Sequence, residues 1–182
     1  MSKRAVVVVD LQNEYLPTGK LALVGIHNAL NNAARVIANA RTKGDMVINI
    51  RHESTDPDAP FFKQGTDGVQ IHESVAPAQG EPVIVKNFPN SFLNTNLKQV
   101  LDEKGIEEVT VVGAMSHMCI DATARAASDF GYKTTVVHDA CATRDLEFRG
   151  ETVPAAQVHT ALMSALAFGY ASVVTADEYL AS

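Results

Sequence analysis

Thiols are scarce in this 182-residue sequence: Cys119 and Cys141 are the only two, too few for a disulfide framework. In a reducing compartment each is then either a small buried hydrophobe or a reactive thiol. Long apolar runs are missing too. Met1-Ser2-Lys3-Arg4 leads straight into Ala5 to Val9, a run too short for the hydrophobic region of a signal peptide and far too short to span a bilayer. A cytoplasmic protein with no membrane partner is the expectation. Basic runs are absent as well, because 15 Lys and Arg are scattered among 21 Asp and Glu for a net charge of -6. Nothing there could follow a phosphate backbone, which argues against a nucleic-acid partner. No repeat, low-complexity tract or interdomain linker interrupts the chain.

What is present suffices for one core, since 46% of the residues are hydrophobic, and a single domain over residues 1–182 is expected. Six short apolar runs recur: Ala5 to Val9, Met46 to Ile50, Pro82 to Val85, Val109 to Val112, Thr134 to Val137 and Ser172 to Val174. Runs without polar alternation suit parallel strands buried on both faces. Helical patterns lie between them. Ile26, Ala29, Leu30, Ala33, Val36, Ile37 and Ala40 form one stripe, closed by Gly44, as helical periodicity and a glycine stop require. Asn94 or Thr95 could cap a helix ending at Gly105, Cys119 to Phe130 could form another, and Pro154 suits the first turn of one running to Gly169. In that helix Val158, Ala161, Leu162, Ala165 and Leu166 read as core. Thr175 and Glu178 have capping-box spacing for a last helix. The alternation predicts an α/β fold: three layers, α/β/α, around a six-stranded, mostly parallel, Rossmann-like sheet. Arg51 to Glu81 and Cys141 to Val153 break the rhythm and read as a long ordered lid and a shorter loop.

In such sheets ligands sit at the carboxyl ends of the strands, and three residues there carry chemistry. Asp10 follows the first run, Lys86 ends Val83-Ile84-Val85-Lys86, and Cys119 lies on the turn that follows Val111-Val112-Gly113. Singly, Asp10 would pass for a turn residue, Lys86 for a solvated strand end and Cys119 for a buried structural thiol. Together they supply what attack on a carbonyl needs: a base for the thiol proton, a cation to hold base and sulfur, and a nucleophile. At a helix N-terminus, the thiolate of Cys119 would be favoured over the thiol.

With these residues in place the chain resembles the isochorismatase-like cysteine hydrolases, which include nicotinamidases, streptothricin hydrolase and other small amidases. The resemblance rests on Val7-Val8-Val9-Asp10-Leu11-Gln12-Asn13, on Lys86 followed by Ser91-Phe92, on Gly113-Ala114-Met115-Ser116-His117-Met118-Cys119-Ile120-Asp121-Ala122-Thr123-Ala124-Arg125, and on His138-Asp139-Ala140-Cys141-Ala142-Thr143. It implies a catalytic Asp10, Lys86 and Cys119. It also implies a cis peptide at Ala114-Met115, with the backbone N–H groups of Met115 and Cys119 as the oxyanion hole. Related proteins are commonly oligomeric, so a homo-oligomer is expected.

The sequence departs from the nicotinamidases, which bind a metal through Asp-x-His on the second strand. Here the matching segment is Ile50-Arg51-His52, so the carboxylate ligand is missing and no metal or other cofactor is expected, even with His72 in the lid as a second histidine. His52 becomes a pocket wall or a hydrogen-bond group. Gln12, Tyr15, Phe88, Phe92, His117 and Met118 join it as candidate substrate contacts, with Phe61, Phe62 and Asn90 near the same edge. Cys141 would be a loop residue, or, less simply, a redox partner of Cys119. The leading reading is a metal-free hydrolase of a small-molecule amide. The alternatives are a vinyl-ether hydrolase of the isochorismatase type, to which a cysteine nucleophile is foreign, and a non-catalytic binding domain.

Overall fold

The apolar run after Arg4 has no polar alternation, and in the computed structural model, which describes residues 3–182, it forms β1 (Arg4–Val9), buried throughout after its first residue. Around it lie β2 (Met46–His52), β3 (Val83–Lys86), β4 (Glu108–Ala114), β5 (Lys133–Ala142) and β8 (Ser172–Val174) in one sheet of order β3-β2-β1-β4-β5-β8. All pairings in it are parallel. The chain winds outward from β1 to β3, then jumps back to the other side of β1 to make β4. The order reverses between β1 and β4, which is where open α/β sheets bind ligands.

The strand pleat sends alternate residues to two cores. Val6, Val8, Val47 and Val112 pack against the stripe of α1 (Ile26–Lys43), with Ala176 of α5 (Ala176–Leu180). Ala5, Val7, Val9, Ile48 and Val111 pack against α2 (Leu97–Glu103), α3 (Asp121–Asp129) and α4 (Ala155–Gly169). The result is the expected three-layer arrangement. Among the described residues, no helix is long and apolar enough to cross a membrane.

Several expectations need correction. Residues 141–153 are not a loop: β5 runs on through Cys141 to Ala142, and a hairpin of β6 (Leu146–Phe148) and β7 (Glu151–Val153) comes next. Charge hid these short exposed strands from a hydrophobic reading. β3 is an edge strand and exposes Val83 and Val85 instead of burying them. In α4, Val158, Met163 and Leu166 face the core while Ala161 and Ala165 face outward. The chain enters α2 at Asn96, with the Thr95 hydroxyl accepting from the Leu97 N–H at 3.3 Å.

Gly113 sets the spacing at the carboxyl edge of the sheet. A Cβ built on it would lie 1.9 Å from the Val9 carbonyl oxygen, and its φ is +133°. Only glycine has both the conformation and the space, so β4 presses main chain to main chain on β1 immediately before the strands release Asp10 and the Cys119 turn.

Candidate active site

β1, β2 and β3 end side by side, in a register that sets His52 against Lys86. Asp10, the first residue past β1, has φ of +53°, a left-handed conformation that aspartate tolerates better than most residues. Past β4 the Ala114-Met115 bond is cis, and the chain enters a single π turn, Ser116–Ile120, that feeds α3. The expected helix from Cys119 therefore begins two residues later, and Cys119 sits inside the π turn.

Sequence-distant groups converge here. The Lys86 ammonium lies 2.7 Å from Asp10 Oδ2 and donates to Cys119 Sγ at 3.2 Å, to the Phe88 carbonyl at 3.0 Å and towards His52 Nδ1 at 3.1 Å. Lys86 and Asp10 side chains are both fully buried. Burial opposes the lysine's charge, but Asp10 and then Cys119 outweigh it, so the Lys86 pKa is raised. The cation persists because four acceptors surround its three N–H bonds.

For Cys119 the balance runs the other way. Burial first, and the Asp10 carboxylate next, push its thiol up to about 12 against the pull of Lys86. The expectation of a resting thiolate is thus corrected, since desolvation and a neighbouring anion outweigh the turn's amide dipoles. Asp10 is the adjacent acceptor for the thiol proton.

Ligand atoms of Asp10, His52 and Cys119 lie within 4.8 Å of one another, a spacing that could hold a metal ion. The Lys86 ammonium already stands 2.7 to 3.2 Å from all three, so its charge takes the place a metal cation would need, and the residues do not fit one. His72 is elsewhere, its Nδ1 accepting from the Ser74 N–H at 3.2 Å as the cap of a short turn.

Above the sulfur opens a cavity of about 360 Å³. Tyr15, His52, Phe61 and Phe62 form one wall, where Phe62 meets the Tyr15 ring edge-on at 5.3 Å and the His52 ring at 5.1 Å. Met115 and Met118 lie on the turn that carries Cys119, and Leu21, Asn87 and Pro89 complete the lining. Burial and then Lys86 lower the His52 pKa, leaving it neutral near neutral pH.

Of the expected contacts, Tyr15, His52 and Met118 line this cavity, as do Met115 and Cys119. Others do not. The Gln12 amide is spent on main chain, donating to the His52 and Val69 carbonyls at 2.9 and 2.7 Å and accepting from the His52 N–H at 2.8 Å. It ties the lid to β2. Phe92 stacks in the core on Tyr132 and meets Phe130 edge-on. Phe88 contributes its carbonyl, not its ring, and Asn90 holds its own turn by accepting from the Phe92 N–H at 2.9 Å. His117 turns to Thr143, Nδ1 to Oγ1 at 2.7 Å. Cys141, in β5, donates to the Val137 carbonyl at 3.4 Å, and both cysteines are free. Sequence reasoning missed Leu21, Asn87 and Pro89, which no motif marks; only the neighbours Lys86 and Phe88 hinted at Asn87.

Glu14, unremarked in the sequence, latches the aromatic wall. It is 3% exposed, and its carboxylate accepts from the Lys20 N–H at 3.0 Å and the Phe62 N–H at 2.8 Å. Gly68 packs so closely that a Cβ there would lie 2.6 Å from Glu14 Oε2. Glu14→Ala is expected to free both N–H groups and lower the local opening free energy of residues 60–69 by about 2 kcal/mol, roughly 30-fold faster amide exchange. Hydrogen–deuterium exchange checks this, and unchanged protection at Phe62 would contradict it.

This sheet, its switch-point cavity and a thiol held by an ammonium and a carboxylate define a hydrolase of the isochorismatase family. The isochorismatase domain matches residues 4–178, and the chain belongs to that family. It is 48% identical to the isochorismatase family protein YddQ of Bacillus subtilis, over 97% of this chain and 98% of that one. It superposes with a TM-score of 0.95, at 52% identity, on a crystal structure described as an isochorismatase hydrolase from Oleispira antarctica, covering 98% of this chain and 96% of that one. A streptothricin hydrolase of Streptomyces noursei is 34% identical over 84% of this chain and 55% of its own length.

Proposed function

We propose that this hydrolase cleaves the C–N bond of a small-molecule amide through a thioester on Cys119, without a metal. The observation that carries the reading is the convergence of the Asp10 carboxylate, the Lys86 ammonium and the Cys119 sulfur at the base of one cavity. Asp10 takes the thiol proton as sulfur attacks the carbonyl carbon. The backbone N–H groups of Met115 and Cys119 receive the developing oxyanion. As the C–N bond breaks, Asp10 passes the proton to the departing nitrogen, which leaves as ammonia or an amine. Water, deprotonated by Asp10, then cleaves the thioester and releases a carboxylic acid, and the proton returns to sulfur. Lys86 holds the Asp10 carboxyl and the sulfur in place throughout. The likeness to streptothricin hydrolase supports amide chemistry, and a thiol at the cavity floor has no role in vinyl-ether cleavage.

An aldehyde analogue of an amide is expected to add to Cys119 as a reversible thiohemiacetal, visible by mass spectrometry after borohydride reduction, and hydrolysis of an amide panel is expected to be unchanged by chelator. A failure to label Cys119 would overturn the mechanism, and chelator-sensitive turnover would overturn its metal independence.

A further inference from the structure

The cavity wall is unusual in its charge. Among the described residues, no Lys, Arg, Asp or Glu lines it. The formal charges beneath the sulfur, Asp10 and Lys86, neutralise one another at 2.7 Å, and the Glu14 carboxylate behind the aromatic wall is spent on main-chain N–H groups. The four acceptors already around Lys86 leave its N–H bonds no free direction for a substrate carboxylate. The imidazole of His52 faces that same ammonium and cannot easily take a second positive charge beside it.

What lines the space instead is aromatic and sulfur-bearing. Phe62 meets both Tyr15 and Phe61 edge-to-face, the latter at 6.0 Å between ring centres, and Met115 and Met118 flank the nucleophile. A planar ring between them gains edge-to-face and sulfur–aromatic contacts. Phe61 and Met118 stay 40% and 41% exposed at the rim, an apolar mouth of the kind that marks a ligand site. A carboxylate drawn into this space would lose water and meet no countercharge, with the Asp10 anion close by.

We infer that the acyl part of the substrate is uncharged and aromatic, an aryl or arylalkyl carboxamide, and that the cavity rejects amides carrying a carboxylate. This rests on the hydrolase reading proposed for the same site. Rejection comes from the absence of a cation as much as from the apolar contacts, so it is a discrimination built by omission.

The test compares 4-methylbenzamide with 4-carbamoylbenzoate, which differ chiefly by a charge at the far end of the ring. Purified full-length enzyme is expected to favour the neutral amide by about 100-fold in kcat/KM. A preference below tenfold, or one for the carboxylate, would overturn the inference. Met118→Arg, at a half-exposed rim position, is expected to raise turnover of 4-carbamoylbenzoate by about tenfold by supplying the missing cation; no gain would count against the charge argument. Acylation by 4-nitrophenyl benzoate, read by intact mass, separates the two levels of failure. If neither amide is cleaved and Cys119 is not acylated, the hydrolase reading falls and the inference with it. If Cys119 is acylated but both amides are inert, cysteine chemistry stands and the substrate class is wrong.

Discussion

Cys119→Ala is expected to lose amide turnover by at least about 10⁵-fold while its stability to denaturant stays within about 1 kcal/mol of the parent. The loss of turnover is expected because, among the described residues, no other thiol and no Ser or Thr hydroxyl lines the cavity: Cys141 is bonded to a strand carbonyl, and the Ser116 hydroxyl is shared between the Ala142 carbonyl and His159. The stability is expected to hold because Lys86 loses one of four acceptors and keeps Asp10, His52 and the Phe88 carbonyl. Cys119→Ser should be comparably inactive. A thiol already pushed up to about 12 by burial and Asp10 gives up its proton reluctantly, and a hydroxyl in its place is less acidic still. Steady-state assays beside denaturation curves check both expectations, and a variant that folds and still hydrolyses would remove Cys119 from the mechanism.

Lys86→Met is expected to have the largest effect on stability, a loss of about 3 to 5 kcal/mol. The substitution retains most of the apolar stem and deletes the charge, leaving the Asp10 carboxylate fully buried with no countercharge. Removing both charges should be milder. Asp10→Asn combined with Lys86→Met is expected to recover much of that loss, since a neutral pair carries no uncompensated ion, yet to remain inactive. Chemical denaturation of the parent, the single and the double variant closes the comparison. A double variant no more stable than the single one would show that the ion pair is not what stabilises this corner of the fold.

The backbone plan was legible because buried parallel strands announce themselves. Ala5 to Val9, Met46 to Ile50 and Ser172 to Val174 are almost wholly apolar, and all of them are strands. The same criterion passed over Leu146–Phe148 and Glu151–Val153, whose burial is slight. The positions of Asp10, Lys86 and Cys119 were legible for a related reason: each ends or comes soon after such a run, and parallel strands deliver their ends to one edge. Side-chain directions were not. Phe92 lies close in sequence to Lys86, yet its ring goes to the core, and Gln12 lies two residues from Asp10, yet its amide is consumed by the lid. The protonation of Cys119 was misjudged because helix-terminal amides are visible in sequence, whereas burial and a carboxylate arriving from another strand are not.

The contact between Gly113 and the Val9 carbonyl bears on how this enzyme could vary. Two backbones in touch leave no side chain whose replacement could widen or narrow the gap between acid and sulfur, so that spacing is insulated from drift elsewhere in the chain. The aromatic wall enjoys no such protection, being fastened by Glu14 and by residues that can be exchanged one at a time. New substrates are thus reachable by changing the wall alone, while the reacting groups keep their separation.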